Sequence, residues 1–143
     1  MKIRIERLEL HHLEDCLCIE RTTDSPWSQG DFEAYRKSDR HLMRVALWNR
    51  HVVGYIVFQI GEDHFEIKNV AVCEAARRQG IGSQLVGYVV NKIGDPDVPQ
   101  ASVEVVVRET RNDLIEFFSN CGFEAIRPVV KNRFLDTGED GYI

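Results

Sequence analysis

The chain has 143 residues, 43% of them hydrophobic and 29% charged. That length favours a single domain, and the balance excludes a disordered tract while supplying enough apolar surface for a core without disulfide staples. The 18 Lys and Arg against 23 Asp and Glu give a net charge of −5, which excludes the broad basic field of a dedicated nucleic-acid binder.

The first six residues alternate charge and apolarity, unlike a signal peptide. No aliphatic run approaches the roughly 20 residues of a membrane span. The expectation is a soluble, cytoplasmic protein that binds neither membrane nor nucleic acid. Cys16, Cys18, Cys73 and Cys121 lack the spacing of zinc ligands, so reduced thiols and no metal are expected.

Ile3 and Ile5, with Leu8, alternate with charged residues and predict a first strand. Helical spacing at Leu13, Cys16, Leu17 and Glu20 predicts a helix over 11–21. A loop over 22–30 follows, and Ser28-Gln29-Gly30-Asp31 offers a capping box for a second helix bearing Phe32 and Tyr35. Met43, Val45 and Leu47, then 52–60, predict a hairpin turning at Asn49-Arg50, which is weaker turn chemistry than Asn-Gly. After a turn at 61–63, Phe65, Ile67 and 70–72 predict another strand.

The period then becomes helical. Ile81, Leu85, Val86, Val89, Val90 and Ile93 form one broad apolar stripe, broken by the Gly and Pro residues of 94–99. A strand is predicted over 101–107, where Val105-Val106-Val107 suggests burial on both faces. Leu114, Phe117, Phe118 and Cys121 predict a short helix, with Thr110 and Asp113 as its capping box and Gly122 as its left-handed stop. Strand pieces at 129–130 and 133–135, a turn at 136–140 and a terminal 141–143 segment complete the chain. The order β-α-α-β-β-β-α-β-α-β-β predicts one α/β (α+β) domain with a mixed sheet.

The segment richest in chemistry runs from Val70 to Ser83. A buried strand enters a basic loop, two glycines lie two apart, and a long helix begins at once. Glycines let backbone approach a ligand closely, and a helix start presents unpaired N–H groups suited to phosphate oxygens. Arg77 and Arg78 add cationic donors. A Walker loop is excluded because no Lys follows Gly82, and a dinucleotide fingerprint because Leu85 stands where a third glycine belongs. A tight strand-to-helix turn with its arginines in water is the plain alternative.

Arg77-Arg78-Gln79-Gly80-Ile81-Gly82 resembles the acetyl-coenzyme A signature of the GCN5-related N-acetyltransferase (GNAT) superfamily. The chain is most similar to its RimI-like ribosomal-protein-alanine acetyltransferase group. The likeness extends to Asn69-Val70-Ala71-Val72, Val107-Arg108-Glu109-Thr110 and Phe117-Phe118-Ser119-Asn120-Cys121-Gly122-Phe123. It also takes in Ser25-Pro26-Trp27-Ser28 and the ending through Asn132-Arg133-Phe134 and Glu139-Asp140-Gly141-Tyr142.

The resemblance implies one GNAT domain over residues 1–143, with a twisted, mostly antiparallel mixed sheet, helices on its flanks and splayed central parallel strands. Acetyl-coenzyme A is the implied co-substrate, with its pantetheine arm along Val70, Ala71 and Val72. Its pyrophosphate would lie on Arg77, Arg78, Gln79, Gly80, Ile81, Gly82 and Ser83, with Asn112 and Phe118 also on the cofactor side. The implied reaction is direct attack of an amine on the thioester, the acceptor being a protein or peptide N-terminus. Trp27 and Glu139 fall on the acceptor side, where Trp27 is either a packing lid or a substrate contact. Glu66 matches the general base of several superfamily members and otherwise is a solvent-facing strand glutamate. Monomer and homodimer both remain open.

Three positions depart from the pattern. Phe118 stands where the family usually has a tyrosine, so it has no proton for the departing sulfur, and Tyr142 is the substitute donor. Val106 replaces a strand glutamate. The usual helix-start asparagine falls on Arg111, with Asn112 one residue late. The Phe118 and Val106 departures keep in play a non-catalytic acyl-coenzyme A-binding or interaction module. A further alternative is a small-amine acetyltransferase for a polyamine, amino sugar or aminoglycoside, whose cationic acceptor the net acidity would suit.

Overall fold

The computed structural model describes residues 2–23, 26–108, 111–125 and 141–142, in two compact units, Met1–Val103 and Glu104–Ile143. Alternating apolar positions give the first unit its strands: β1 (Arg4–Arg7), β2 (His41–Trp48), β3 (His51–Ile60) and β4 (His64–Val72). Successive neighbours among these four pair antiparallel. With β5 (Ser102–Val105) they form a five-stranded mixed sheet in the order β1-β2-β3-β4-β5.

The β2–β3 hairpin closes at Asn49-Arg50, with φ of 49° and 68°. Both residues are left-handed, the geometry that matches strand twist in a two-residue hairpin. Left-handed backbone costs an arginine about 1–2 kcal/mol, which the paired strands on either side offset.

Helices cover both faces. On one side lie α1 (Leu13–Glu20), entered through a 3-10 turn at Leu10–His12, and α2 (Gln29–Lys37). The expected helix over 11–21 is thus shorter, because its first residues form the tighter turn. Leu13, Cys16, Ile19 and Phe32 from these helices pack with Met43, Val45, Tyr55 and Val57 of the sheet. The Ser28 capping box forms as expected: the Asp31 N–H donates to Ser28 Oγ at 3.1 Å, and the Ser28 N–H to Asp31 Oδ2 at 2.8 Å.

On the other face lies α3 (Ile81–Val90), burying Ile81, Leu85, Val86 and Val89. The apolar stripe was expected to run on to Ile93, but the helix ends at Val90, with Asn91 as its cap. Val90 is 37% exposed. At 3.6 residues per turn it lies about 180° around the helix from Ile81, outside the face that meets the sheet.

The second unit departs from expectation at its start. The strand expected over 101–107 is interrupted at Val106: β5 ends at Val105, and β6 (Val107–Arg108) pairs antiparallel with β7 (Gly141–Tyr142) in a separate two-stranded sheet. Val106 is half-buried where burial on both faces was expected. The helix α4 (Asn112–Asn120) takes Arg111 as its N-cap rather than Thr110. The Arg111 side chain makes no cap hydrogen bond, because a guanidinium has no acceptor to offer a helix N–H; it grips Asp113 at 3.0 and 3.1 Å.

The C-terminus of α4 follows sequence closely. Gly122 has φ 95°, its N–H donates to the Ser119 carbonyl, and the Phe123 N–H reaches back to the Phe118 carbonyl, each at 3.0 Å. That is a Schellman closure, with the Phe123 ring 5.3 Å from Phe118. The strand pieces expected at 129–130 and 133–135 and the turn at 136–140 lie outside the described residues.

One glycine sets the depth of the first unit. A Cβ on Gly54 would sit 2.9 Å from the Ala71 carbonyl oxygen and 3.2 Å from Leu85 Cδ1. Strand β3 therefore meets β4 and α3 at a distance no other residue allows. Replacing Gly54 with Ala should lower stability by about 1–3 kcal/mol through overpacking. Urea denaturation measures this, with a reduced midpoint and an unchanged slope as the expected result.

Candidate active site

Strand β4 organises the candidate site. Its register with β3 runs Tyr55↔Ala71, Ile56↔Val70 and Val57↔Asn69, then steps to Phe58↔Ile67. Lys68 is the extra residue of this bulge. A bulge re-aims side chains by breaking strict alternation, so Glu66 and Lys68 share the α1/α2 side with Asn69 and Ala71. Phe65 and Ile67 face away and are buried, with the Phe65 ring 5.6 Å from Phe58.

Glu66 Oε2 lies 3.1 Å from Lys68 Nζ, and both side chains are mostly buried. Beside them runs a row of rings. Trp27 stacks on Tyr35 at 4.5 Å, and Tyr35 meets His41 edge-on at 4.6 Å. Burial, with the carboxylates of Asp31 and Glu66 nearby, pushes the Tyr35 phenol up. Burial also pushes His41 below the usual imidazole range; the Lys68 charge adds to this, while Glu66 opposes it.

Past Val72, the Cys73 N–H still pairs with the Val53 carbonyl at 2.8 Å, and a 3-10 turn at Glu74–Ala76 leads into the loop. There Arg78 has φ 66° and Gly80, the N-cap of α3, has φ 76°. A non-glycine in that region costs on the order of 1 kcal/mol. The first intrahelical bond is the Gln84 N–H to the Gly80 carbonyl, at 3.0 Å. The amides of Ile81 and Gly82 precede it, and Gly80 at the cap position has no side chain to bond them. Arg77 and Arg78 are exposed, Arg77 Nε reaching back to the Val72 carbonyl at 3.4 Å. A strand end, a left-handed entry and a helix N-terminus thus converge on one exposed basic loop.

Deeper on the α1/α2 side, the Glu20 side chain is buried to 1% exposure. Its Oε1 accepts from Tyr55 Oη and from Asn69 Nδ2, the latter at 3.0 Å. Its Oε2 accepts from the Trp27 N–H at 2.6 Å. Burial drives the Tyr55 phenol upward, and its bond to Glu20 adds to the effect. Burial likewise pushes the neighbouring Cys16 thiol up to about 12, which removes it as a nucleophile near neutral pH.

The sequence matches the acetyltransferase (GNAT) family over residues 8–123. The chain belongs to the acetyltransferase (GNAT) family. A protein of Bacillus subtilis (strain 168), assigned as a ribosomal protein bS18-alanine N-acetyltransferase, is 25% identical over 99% of this chain and 93% of its own length. The ribosomal-protein-S18-alanine N-acetyltransferase of Escherichia coli superimposes with a TM-score of 0.82 at 23% identity, covering 99% of this chain and 90% of that one. The Arabidopsis thaliana NAA60 structure with a bisubstrate analogue gives 0.80 at 18% identity, covering 99% and 95%. These structural likenesses establish the GNAT fold.

Within that fold, Val70, Ala71 and Val72 end β4. Arg77, Arg78, Gln79 and Gly80 form the loop, and Ile81, Gly82 and Ser83 the first turn of α3. These residues are contiguous. Glu66 and Trp27 border the same aromatic row, and Trp27, also edge-on to Phe32 at 5.4 Å, packs against the core. In the second unit, Asn112 opens α4, and Phe118 is buried with its ring 5.0 Å from Phe117. Tyr142 lies in β7 opposite Val107, and Glu139 lies outside the described residues. No His, Cys, Asp and Glu cluster among the described residues suits a metal ion. No helix among them is long and apolar enough to cross a membrane.

The Glu20, Tyr55 and Asn69 group was not singled out from sequence as a site. Its signal was present: Glu20 occupies an apolar-stripe position of α1, and a carboxylate on such a face needs buried partners.

The depressed His41 pKa gives a testable sign. The unfolded chain binds a proton near pH 6.5 that the folded imidazole takes up only at lower pH, so stability is lost as pH falls below about 6.5. In His41→Gln, the fall of thermal midpoint between pH 7 and pH 5 should be shallower than in wild type. Parallel curves would mean that His41 contributes nothing to the linkage.

Proposed function

We propose that this chain is an acetyl-coenzyme A-dependent N-acetyltransferase whose acceptor is the N-terminal amine of a protein or peptide. The observation that carries the reading is the junction of β4 with α3. A strand end leads into an exposed Arg77-Arg78 loop and an uncapped helix start entered through left-handed Gly80. Backbone N–H groups, a helix dipole and two guanidiniums suit a diphosphate. The Bacillus subtilis relative is assigned as a ribosomal protein bS18-alanine N-acetyltransferase, and Arabidopsis thaliana NAA60 has been solved with acetyl-CoA. Both support the reading.

In this reading residues 1–143 act as one domain, in the cytoplasm. Val70, Ala71 and Val72 receive the pantetheine arm, and the 77–83 segment receives the pyrophosphate. The acceptor enters on the α1/α2 side, beside Trp27 and Glu66. Glu66, directly or through water, takes a proton from the protonated amine. The neutral amine then attacks the thioester carbonyl, the C–S bond breaks to release the thiolate, and the second amine proton leaves to solvent. Lys68 holds the Glu66 carboxylate in place at 3.1 Å. Phe118 offers the departing sulfur no proton. A thiol pKa not far above that of free Cys, about 8.5, makes the thiolate an acceptable leaving group without one, though missing acid catalysis costs on the order of 10²–10⁴ in rate.

Thiol release from acetyl-coenzyme A, measured against a panel of peptides with free N-termini, polyamines and aminoglycosides, tests the assignment. Turnover confined to peptides supports it, turnover confined to small amines moves the acceptor class, and no turnover with intact cofactor binding favours a binding module.

Two variants separate binding from chemistry. Gly82→Val should weaken acetyl-coenzyme A binding tenfold or more in calorimetry without lowering the thermal midpoint, since Val is the better helix former. Arg78→Ala should cost about 1–3 kcal/mol of affinity, the range for a charge-assisted bond.

Glu66→Gln should leave cofactor affinity unchanged but lower turnover near pH 7 by roughly 10². The deficit should narrow above pH 8, because an α-amine with pKa near 7.7–8.0 then needs no base. Superimposable pH–rate profiles would remove Glu66 from proton transfer.

A further inference from the structure

We propose that Glu20 is a positioning residue of this enzyme: its buried carboxylate fixes the Trp27 loop against β4 and thereby shapes the acceptor side. The proposal rests on the reading that the 22–30 loop borders the acceptor.

Glu20 is the last residue of α1, and its carboxylate lies beside Cys16 and Tyr55, two residues of the unit's apolar core. An apolar side chain would fill such a position at lower desolvation cost. What a carboxylate adds is the placing of donors, and these come from three other segments: Tyr55 from β3, Asn69 from β4 and the Trp27 N–H from the loop.

The loop leaves α1 under tight local control, with the Thr23 N–H and Thr23 Oγ1 both donating to the Glu20 carbonyl at 2.9 and 2.8 Å. Glu20 then takes hold of it again at Trp27, seven residues on. The loop is thus fastened to one residue twice, by backbone at its start and by side chain at its end. Holding the Trp27 backbone keeps its indole within reach of Phe32 and Tyr35, and the indole is the first ring of the Trp27, Tyr35 and His41 row beside Glu66. Asn69, between the Lys68 bulge and Val70, carries the same carboxylate's influence to the strand proposed for the cofactor.

Glutamine is the discriminating substitution. Both Glu20 oxygens accept from N–H or O–H donors, so an isosteric amide must turn an NH2 group toward one of them. If its oxygen keeps Tyr55 and Asn69, the NH2 faces the Trp27 N–H, and two donors oppose each other. The loop is then released while the volume of the core is preserved.

The protein has two tryptophans, Trp27 and Trp48. Trp48→Phe therefore leaves Trp27 as the sole indole reporter in the full chain. In that background Glu20→Gln should lower Trp27 anisotropy and raise its acrylamide quenching at least twofold. It should raise KM for an N-terminal peptide tenfold or more, change kcat by less than threefold, and leave acetyl-coenzyme A affinity within twofold. Glu20→Asp keeps the charge but withdraws it by one carbon. It should move the same readouts in the same direction, and it carries the test if the glutamine variant does not fold. Unchanged Trp27 fluorescence would overturn the anchoring, whatever the turnover. Altered fluorescence with unchanged KM would overturn the acceptor role. A wild type inactive on every peptide while Trp27 still responds would defeat the acceptor assignment, and this proposal with it, but not the anchoring.

Discussion

A buried carboxylate that must be satisfied organises the first unit. Once Glu20 lies in the core, its oxygens need donors, because leaving a buried charge unpaired costs about 3–5 kcal/mol. The donors come from β3, β4 and the loop before α2. Hydrophobic packing draws α1 and α2 onto the sheet but is non-directional. Hydrogen bonds to a fixed carboxylate have directions, so they set the relative placing of Tyr55, Asn69 and Trp27 within that packing.

A second constraint acts from the opposite face. Gly54 lets β3 approach Ala71 and α3 closely, and β4 then breaks register at Lys68. The bulge places Glu66, Lys68, Asn69 and Ala71 on one face, which strict alternation forbids. One strand therefore carries two kinds of chemistry. Its middle presents charged side chains beside the aromatic row, while its end passes into a loop whose backbone groups are the feature of interest. The proposed division between an acceptor side and a cofactor side follows from that difference.

Much of this was legible in the chain. Alternation at Met43, Val45 and Leu47, the stripe through Ile81, Leu85 and Val89, the Ser28 box and the Gly122 stop each report a local preference, and each appears in the structure. The loop from Arg77 to Ser83 was equally legible, because a strand, paired glycines and a helix start are contiguous in sequence. The misses have physical reasons. Val105, Val106 and Val107 read as one strand because apolar content does not show where a ladder ends. Asn49-Arg50 looked weak as a turn because propensity omits what the flanking strands impose.

The sequence by itself determined most of the described elements, their order and the strand–loop–helix junction through Arg77 to Ser83, all of which depend on residues within a few positions of one another. Only the tertiary structure decided what surrounds Glu20. Its partners lie 7, 35 and 49 residues away along the chain, and no local pattern encodes such separations. It also decided the bulge at Lys68, which is fixed by register between strands rather than by the residue itself. Local chemistry selects backbone states, but the pairing of a buried charge with distant donors is settled only when the core closes around them.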